Sequence, residues 1–469
     1  MLRNKIAAAF TAIKNHVSRF QVRRGSTASP LIPGAGLPHK TSKPSAIDHK
    51  TKPPAHSILP TNVLLRSLLV TTISSNWILR VPSLSILLLL TKAKGPLFNV
   101  DRNPFIHGFL KRTLYDHFCA GEVEGQVRDT IRQLKDTGLR GVILTYAKET
   151  TRDDRLAKQK EENNEKMEAL ESNKDEMIQA WTDGVLRTID MIGEGDYLAL
   201  KLTGAGPQVT HALTSNTPPP PQMLEALDEI CRRVIQKNAR ILMDAEQRAF
   251  LDGIYSWTLD LMRKYNRDGR AVVYNTYQAY LKATPDVIAA HMQAAGSEKF
   301  ILGLKLVRGA YMGSDPRHLI HDTKEETDTA YDTIVQSVLS RRFNGFGGEN
   351  EKAFPPTDLF LASHNYKSVM AAHNLHQTRI RAQLPTVKVE YGQLMGMADG
   401  VSYGLLQVKG HNNMSPGVYK CLTWGSLGEC LQYLVRRAME NQDAVARTDS
   451  EHQALKAEVK RRFLGVLRG

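Results

Sequence analysis

The sequence predicts an α/β protein whose core is a distorted (β/α)8 barrel of the TIM type with extra N-terminal helices. Eight short runs of apolar and β-branched residues alternate with helical patterns, which is typical of a parallel sheet covered by helices. No GxGxxG motif and no P-loop follows any run, so the usual nucleotide signatures of an open sheet are missing. With 469 residues, 42% hydrophobic and 23% charged, the chain is long enough for a closed barrel of eight units.

The N-terminal segment carries nearly all of the net charge. The first hundred residues contain 14 lysines and arginines and a single acid, Asp48, although the whole chain has a formal charge of +14. A nearly neutral body argues against a basic nucleic-acid groove and for a targeting segment. One helical face of the acid-free leader collects Ile6, Phe10, Ile13 and Val17. We interpret residues 1–57 as a mitochondrial presequence and linker, with a disordered basic arm as the alternative.

Residues 58–135 are expected to form a helical region. From Thr61 onward, large apolar residues recur at helical spacing: Leu64, Leu65, Leu68, Leu69, Ile73 and Trp77. Such a helix packs on the protein's own barrel or lies on a membrane, and the pattern alone leaves both open. The longest apolar run, from Leu84 to Leu90, is too short to span a bilayer.

The barrel is expected between residues 136 and 445. Its strands are predicted in the runs Gly141–Tyr146, Tyr197–Thr203, Arg240–Glu246, Ala271–Gln278, Leu302–Tyr311, Leu359–Asn365, Val387–Gly396 and Gly417–Gly425. A highly charged insert at 148–176 and loop-like inserts at 218–221 and 345–356 are expected to be exposed. A C-terminal helix is expected over 446–469.

The four cysteines indicate neither a disulfide framework nor a zinc site. Cys119, Cys231, Cys421 and Cys430 show no CxxC spacing and are too few to crosslink a chain of this length. This usage is typical of a reducing compartment. No other ligand spacing suggests a metal, so we predict none.

Polar residues that end the apolar runs are the first candidates for a functional site. Working residues of such barrels project from the carboxyl ends of the strands. The residues found there are Lys201, Asp244, Gln278, Arg308, Tyr311 and His364. Each alone is readily explained as a cap or an ion-pair partner, but six at equivalent positions suggest one shared site.

The segment after the eighth run adds a pair of arginines. Arg436, Arg437 and Glu440 lie three, four and seven positions after Tyr433, which places all four residues on one face of a predicted helix. Neighbouring arginines can grip a carboxylate through charge-assisted hydrogen bonds. A solvated Arg–Glu pair is the alternative.

Seven motifs together resemble the proline dehydrogenase family, the flavoenzymes also called proline oxidases. LALKLTGAG, LMDAEQ, YNTYQAYL, KLVRGAY, ASHN, YGQLMGMAD and YLVRRAMEN stand in the family's order and spacing between Leu198 and Asn441. The leader and the charged inserts resemble those of a eukaryotic, mitochondrial member. The resemblance implies a distorted barrel with non-covalent FAD across the strand ends and L-proline beside the last helix.

The resemblance also implies roles for individual residues. For the substrate it implies that Arg436 and Arg437 hold the carboxylate, that Lys201 and Asp244 lie beside the proline, and that Tyr311, Leu394 and Tyr433 enclose the ring. For FAD it implies contacts with Gln278, Lys305, Arg308 and His364. Glu440 and Cys421 are supporting positions. Lys201 and Asp244 could also form an ion pair that only shapes the pocket.

One departure from the family concerns substrate choice. Cys421 stands where many members carry a tyrosine that crowds the proline ring, and the smaller side chain suggests 4-hydroxyproline as an alternative substrate. Trp424 nearby could refill the space, so L-proline remains the expected substrate.

The reaction implied is oxidation of L-proline to Δ1-pyrroline-5-carboxylate by hydride transfer to FAD, with electrons passed to ubiquinone. It opens the catabolism of proline to glutamate. The expected location is the matrix side of the mitochondrial inner membrane, with Leu64–Leu90 as a candidate peripheral contact. Competing classes are a barrel enzyme for a phosphorylated metabolite, a silent binding protein and a nucleic-acid-binding protein.

Overall fold

A computed structural model describes residues 54–91, 95, 97–146, 175–408, 415–443 and 445–466. The leader up to residue 53 and nearly all of the charged insert at 148–176 lie outside the described residues. The predictions made for those two segments therefore remain predictions.

Eight parallel strands close into a barrel in which each strand pairs with the next and the first pairs with the last. The strands are β1 (Gly141–Tyr146), β2 (Tyr197–Leu200), β3 (Arg240–Met243), β4 (Val273–Gln278), β5 (Leu302–Val307), β6 (Thr357–Ala362), β7 (Lys388–Leu394) and β8 (Gly417–Trp424). Each predicted run overlaps one strand, in the predicted order, although β6 begins two residues before its run. The predicted fold class is confirmed.

Helices surround the barrel and extend beyond it at both ends of the chain. They are α1 (Thr61–Ser75), α2 (Trp77–Thr91), α3 (Pro104–Leu110), α4 (Glu124–Asp136), α5 (Glu176–Met191), α6 (Pro207–Thr214), α7 (Pro221–Gln236), α8 (Arg248–Tyr265), α9 (Thr284–Glu298), α10 (Lys324–Leu339), α11 (Tyr366–Arg381), α12 (Asp399–Leu406), α13 (Leu427–Asp443) and α14 (Val445–Val466). A π-helical turn, Lys111–Tyr115, continues α3.

Side-chain alternation divides each strand between two apolar cores. Tyr197, Tyr274, Phe360 and Tyr419 point inward and pack edge to face or tilted against one another inside the barrel. Their neighbours on the strands point outward into the larger core between sheet and helices. The filled interior makes the barrel a packed core with its working surface at the rim.

Several strands end earlier than the apolar runs do, and β5 shows why. The run continues to Tyr311, but the ladder stops at Val307 because the chain turns at Gly309, whose φ is +130°. A Cβ on Gly309 would lie 2.0 Å from the ring of Tyr280, so only glycine fits the turn. Apolar composition therefore marks the strand together with the loop that follows it.

The N-terminal helices complete the molecule in two ways. α1 packs along α14, where Leu64 and Leu455 share a small buried cluster with Tyr403. α2 packs on α13 through a second cluster that contains Leu87, Leu427 and Leu431. Among the described residues, no single helix is long and apolar enough to cross a membrane, while α1 and α2 meet that test only as a pair bent by 99°.

Candidate functional site

The strand alternation turns most of the predicted site residues toward the same space. Strand positions two residues apart share a face, so these side chains continue the inward-facing rows at the carboxyl ends of their strands. They are Lys201, Asp244, Gln278, Lys305, His364, Leu394 and Cys421. The barrel thus brings together residues that are far apart in sequence.

The centre of this rim holds an ion pair between neighbouring strands. Lys305 Nζ donates to Asp244 Oδ1 at 2.6 Å, and both side chains are largely shielded from solvent. The sequence suggested a pair between Asp244 and Lys201, and the structure shows that Lys305 is a partner of Asp244. Lys201 is half-buried, and its carbonyl accepts from the indole N–H of Trp181 at 3.0 Å.

The pKa of the Cys421 thiol depends on its burial and on four charged groups. Burial, with a further contribution from Asp244, raises its pKa to about 11, while Lys305, Arg437 and Lys201 act in the opposite direction. The thiol is therefore protonated at neutral pH. The charged groups that act on this thiol come from the ends of β2 and β3, from β5 and from α13.

Gln278 and His364 are held by backbone groups on either side of this centre. Gln278 is buried and its amide Nε2 donates to the carbonyl of Glu246 at 3.2 Å. The backbone N–H of Leu394 donates to His364 Nε2 at 3.1 Å, so this ring nitrogen acts as an acceptor. His364 thereby fixes the end of β7, where Leu394 faces the site.

The side chain of Arg308 lies outside the inward row that Lys305 belongs to. Its guanidinium donates to Asp328 Oδ1 at 2.5 Å and to the hydroxyls of Ser363 and Ser368 at 2.7 and 2.9 Å. It also lies 4.2 Å from the ring centre of Tyr331. Arg308 and Lys305 are three positions apart, so they take opposite faces, and the structure does not place their charges side by side.

Helix α13 covers the rim and supplies the arginines. Tyr433 and Arg437 are buried, and the Arg437 guanidinium carbon lies 4.9 Å from the Tyr433 ring centre. Arg436 is half-buried on the same helix. Leu394 packs against the apolar cluster that contains Tyr433, which ties α13 to the end of β7. The side chain of Glu440 lies outside the described residues.

Tyr311 lies in the loop after β5 and is half-buried. Its carbonyl accepts from the N–H groups of Ser314 and Asp315 at 3.0 and 2.9 Å, so it begins a tight turn. The buried carboxylate of Asp315 in turn accepts from the hydroxyl of Tyr280. These bonds hold the loop at the rim, beside the turn at Gly309.

The sequence analysis did not predict a buried ion pair that holds the loop after β7. Lys420 on β8 is almost completely buried, and its Nζ donates to Asp399 Oδ1 at 2.7 Å and to the carbonyl of Met397 at 2.8 Å. His117 Nε2 lies 2.9 Å from the carbonyl of Gly396 in the same loop. A lysine in the middle of an apolar strand was the available signal, because a buried ammonium requires a partner.

Two acidic residues, Asp101 and Glu122, meet at the N-terminus of α13. Asp101 and Glu122 accept from the backbone N–H groups of Gly428 and Leu427 at 2.9 and 3.1 Å. Their carboxylates lie near His107 in an arrangement with metal-ligand spacing. Lys111 Nζ contacts Glu122 at 2.8 Å, so a lysine already supplies positive charge there. The group serves as a helix cap.

The comparisons with known proteins agree on one family. Residues 127–450 match the family model described as proline dehydrogenase. The probable mitochondrial proline dehydrogenase of Schizosaccharomyces pombe is 30% identical over 410 residues, which cover 76% of this chain and 80% of that protein. The hydroxyproline dehydrogenase of Bos taurus is 29% identical over 396 residues, covering 76% and 82%.

A solved structure shares the fold at low identity. Proline utilization A (PutA) from Bdellovibrio bacteriovorus superposes with a TM-score of 0.59 at 14% identity. The match covers 84% of this chain but 40% of the longer bacterial chain. The likeness supports the barrel and its surrounding helices.

Proposed function

This chain belongs to the proline dehydrogenase family, and we propose that it oxidises L-proline to Δ1-pyrroline-5-carboxylate with FAD as cofactor and ubiquinone as the final electron acceptor. It is an oxidoreductase of that family. The observation that carries the finer proposal is the meeting of the inward strand residues with the arginine pair of α13. Polar and charged side chains from separate strands converge under a helix that can bind a carboxylate.

The arginines of α13 bind the substrate carboxylate in this proposal. A guanidinium offers paired donors whose spacing matches the two carboxylate oxygens. The ring of Tyr433 lies against the Arg437 guanidinium and restricts its orientation. A carboxylate bound there places the proline ring next to Leu394, the last residue of β7, and Cys421, its pairing partner on β8.

The oxidation requires a defined orientation and a neutral amine. The ring carbon next to nitrogen loses a hydride and the nitrogen loses a proton, which leaves a C=N bond in the product. Holding the ring between the arginine pair and Leu394 contributes mainly by proximity and orientation. Lys201 and Asp244 line the proline site in this proposal, and bulk water is as suitable a proton acceptor as either.

The residues at the rim of β4, β5 and β6 fit a flavin. Their side chains combine an amide, an ammonium group and an imidazole, which are Gln278, Lys305 and His364. Bound FAD supplies the acceptor for the two electrons of the reaction. Positive charge on Lys305 favours extra electron density on a neighbouring ring system. The Arg308 side chain is bound to Asp328 and two serines. We therefore propose that Arg308 stabilises the end of β6, where the flavin would lie.

The proposed electron acceptor and the proposed cellular location both follow from the assignment to the proline dehydrogenase family. Two electrons and two protons convert a quinone to a quinol, and a quinone dissolved in lipid requires an enzyme at the membrane surface. The fission yeast relative carries the word mitochondrial in its name. We propose the matrix side of the mitochondrial inner membrane, with a peripheral attachment.

A visible spectrum of the purified protein tests the proposal. We expect flavin bands that bleach when L-proline is added without oxygen. A yellow protein that does not bleach with proline contradicts the substrate assignment. A colourless protein that FAD cannot reconstitute contradicts the cofactor.

The second candidate function is oxidation of 4-hydroxyproline. It is favoured by the small side chain of Cys421, which lies opposite Leu394 in the pairing of β7 and β8, and by similarity to the bovine hydroxyproline dehydrogenase. Repeating the anaerobic titration with 4-hydroxyproline separates the two. If Cys421 leaves room for a hydroxyl group, Cys421→Tyr should lower bleaching by hydroxyproline more than bleaching by proline.

A further inference from the structure

One side of α2 is apolar and has no partner among the described residues. Ile78, Pro82, Ile86 and Leu89 are spaced four, four and three residues apart, so they share a face. The three larger side chains are 61%, 56% and 57% exposed. The opposite side of the helix, with Leu87, is buried against α13. Within the described part of the chain, this apolar helix thus buries one face and leaves the other exposed.

A second apolar strip lies on α3. Phe105 and Phe109 are one helical turn apart and are 87% and 68% exposed. Leu110, in the same helix, belongs to the cluster that also contains Leu87 of α2. Both helices therefore pack inward on one cluster and present large apolar side chains outward. We call these six residues, four on α2 and two on α3, the α2–α3 apolar face.

The polar groups of α2 are compatible with an apolar environment. The hydroxyls of Ser83 and Ser85 donate to the carbonyls of Leu79 and Val81, at 2.8 and 3.0 Å. Arg80 donates to the carbonyl of Ser74 at 3.1 Å. These bonds reduce the number of donors that would need water if the outer face were covered.

The stretch of sequence that contains this face is rich in basic residues. From residue 54 to residue 112 the sequence contains seven lysines and arginines and one acid, Asp101. Arg102 and Arg112 are exposed and have no ion-pair partner among the described residues. Arg112 follows Phe109 by three positions. An apolar face with cationic neighbours complements a surface that is anionic outside and apolar beneath.

We propose that the α2–α3 apolar face seats the protein in the interface of an anionic lipid bilayer, with α2 lying in the membrane plane. The 15 residues of α2 span about 22 Å, which is less than the roughly 30 Å of a hydrocarbon core. The 99° bend between α1 and α2 also opposes a continuous span. Exposed apolar area of this kind gains free energy by entering the acyl boundary, and the arginines add attraction to anionic headgroups.

The position of this face connects docking to the proposed reaction. The buried side of α2 packs against α13, which carries Arg436 and Arg437, so one helix layer separates the docked face from the cover of the site. This part rests on the proposed function, because it gives a lipid-dissolved quinone a short route to the rim. Binding to lipid itself can be measured without any turnover.

Co-sedimentation with vesicles tests the docking. We expect the full chain to bind vesicles of phosphatidylcholine mixed with phosphatidylglycerol, and to bind pure phosphatidylcholine more weakly. Ile86→Glu combined with Leu89→Glu should lower binding tenfold or more. The matched control is Leu224→Glu, an exposed leucine on α7, which should bind as the unchanged protein does. Arg102→Gln with Arg112→Gln should reduce only the preference for anionic lipid.

Further measurements distinguish a failure of lipid docking from a failure of the proposed function. Flavin content and bleaching by proline in solution should be unchanged in the double glutamate variant, while reduction of vesicle-borne quinone should fall with binding. Equal vesicle binding by the variant and the unchanged protein would overturn the proposal. So would a dimer in solution that the variant converts to monomer, because the face would then cover a second copy. Failure to bleach with proline would instead count against the proposed function.

Discussion

The Arg437 guanidinium owes its position to a neighbour one turn earlier on the same helix. The ring of Tyr433 lies 4.9 Å from it, and both side chains are buried. A contact of this kind restricts a long, flexible side chain, and a guanidinium held in this way keeps its donors in one plane. The residue pair therefore provides both the charge and its orientation.

Replacing Arg437 with methionine should weaken proline binding while leaving the helix intact. Loss of one charged hydrogen-bonding partner costs about 1.5–3 kcal/mol, on the order of 10- to 100-fold in affinity. We expect KM for proline to rise by that factor in a steady-state assay with a soluble acceptor. Arg128→Met on the exposed side of α4 is the control and should leave KM unchanged. An unchanged KM in Arg437→Met would remove Arg437 from the substrate site.

Buried histidines make the protein sensitive to acid. His117, His291 and His373 are buried, and burial lowers the pKa of each to about 4. Neither ring nitrogen of His373 has a hydrogen-bond partner among the described residues. Its neutral form therefore occupies an apolar position on α11, next to the ring of Tyr391.

Replacing His373 with leucine should flatten the acid side of the stability profile. The unfolded chain binds a proton at His373 near pH 6.5, and the folded chain does so near pH 4. The stability linked to this group is present above about pH 6.5 and is lost as the pH falls to about 4, by about 3 kcal/mol. Thermal melts between pH 7.5 and 4.5 should show a smaller loss of Tm in His373→Leu. The exposed control His318→Leu should retain the original slope.

At the scale of the element, α13 is fixed at its first turn by several acceptors. Ser426 Oγ accepts from the N–H of Glu429 at 3.2 Å, and Glu429 Oε2 accepts from the N–H of Ser426 at 2.8 Å. This reciprocal pair is a capping box, and Asp101 and Glu122 satisfy the next two N–H groups. The helix that carries the arginines is therefore positioned from its N-terminus.

Ser426→Ala should reduce both stability and substrate binding. Loss of a capping hydroxyl costs about 1 kcal/mol, and the start of α13 sets where Arg436 and Arg437 lie. The matched control is Thr323→Ala, which breaks the capping box of α10 with Glu326. We expect both variants to lose a similar amount in chemical denaturation, and only Ser426→Ala to raise KM for proline. A rise in KM in both variants would show that the effect is general loss of stability.

At the scale of the whole molecule, the first and last strands close the barrel, and the C-terminal helix joins the N-terminal helices. β1 pairs with β8 over six residues, from Gly141 with Tyr419 to Tyr146 with Trp424. α14 returns to the N-terminal helices, where Arg462 donates to the carbonyl of Leu59 at 2.7 Å and His56 Nε2 lies 2.7 Å from Glu451. The first described residues of the chain, from His56 to Leu59, are thereby tied to the C-terminal helix.

The interpretation of residues 1–57 as a presequence and linker predicts that residues 1–53 are dispensable for folding and that residues 1–57 are sufficient for targeting. Deleting residues 2–53 should leave flavin content and Tm unchanged. Residues 1–57 fused to a fluorescent protein should direct it to mitochondria, because the leader is basic and its apolar side chains share one face. Changing Arg23 and Arg24 to glutamate should leave the fusion in the cytosol. A native fusion that stays in the cytosol would contradict the presequence assignment.

The sequence by itself determined the fold class, the order of the eight strands and the candidate residues at their ends. Strand periodicity and helix periodicity are local properties of the chain, so continuous apolar runs between helical patterns suffice to indicate a parallel barrel. The same alternation that fills the interior with Tyr197 and Tyr419 turns Lys201 and Cys421 toward the rim. The motifs from Leu198 to Asn441 were enough to indicate the family.

Only the tertiary structure decided which of these groups meet. Asp244 pairs with Lys305, Arg308 turns outward to Asp328, and Lys420 reaches Asp399 behind the β7 loop. Which face of α2 stays exposed among the described residues also depends on the side that α13 occupies. These are contacts between residues distant in sequence or on different elements. They follow from the closure of the barrel and the docking of α13, which local patterns of apolar and charged residues do not specify.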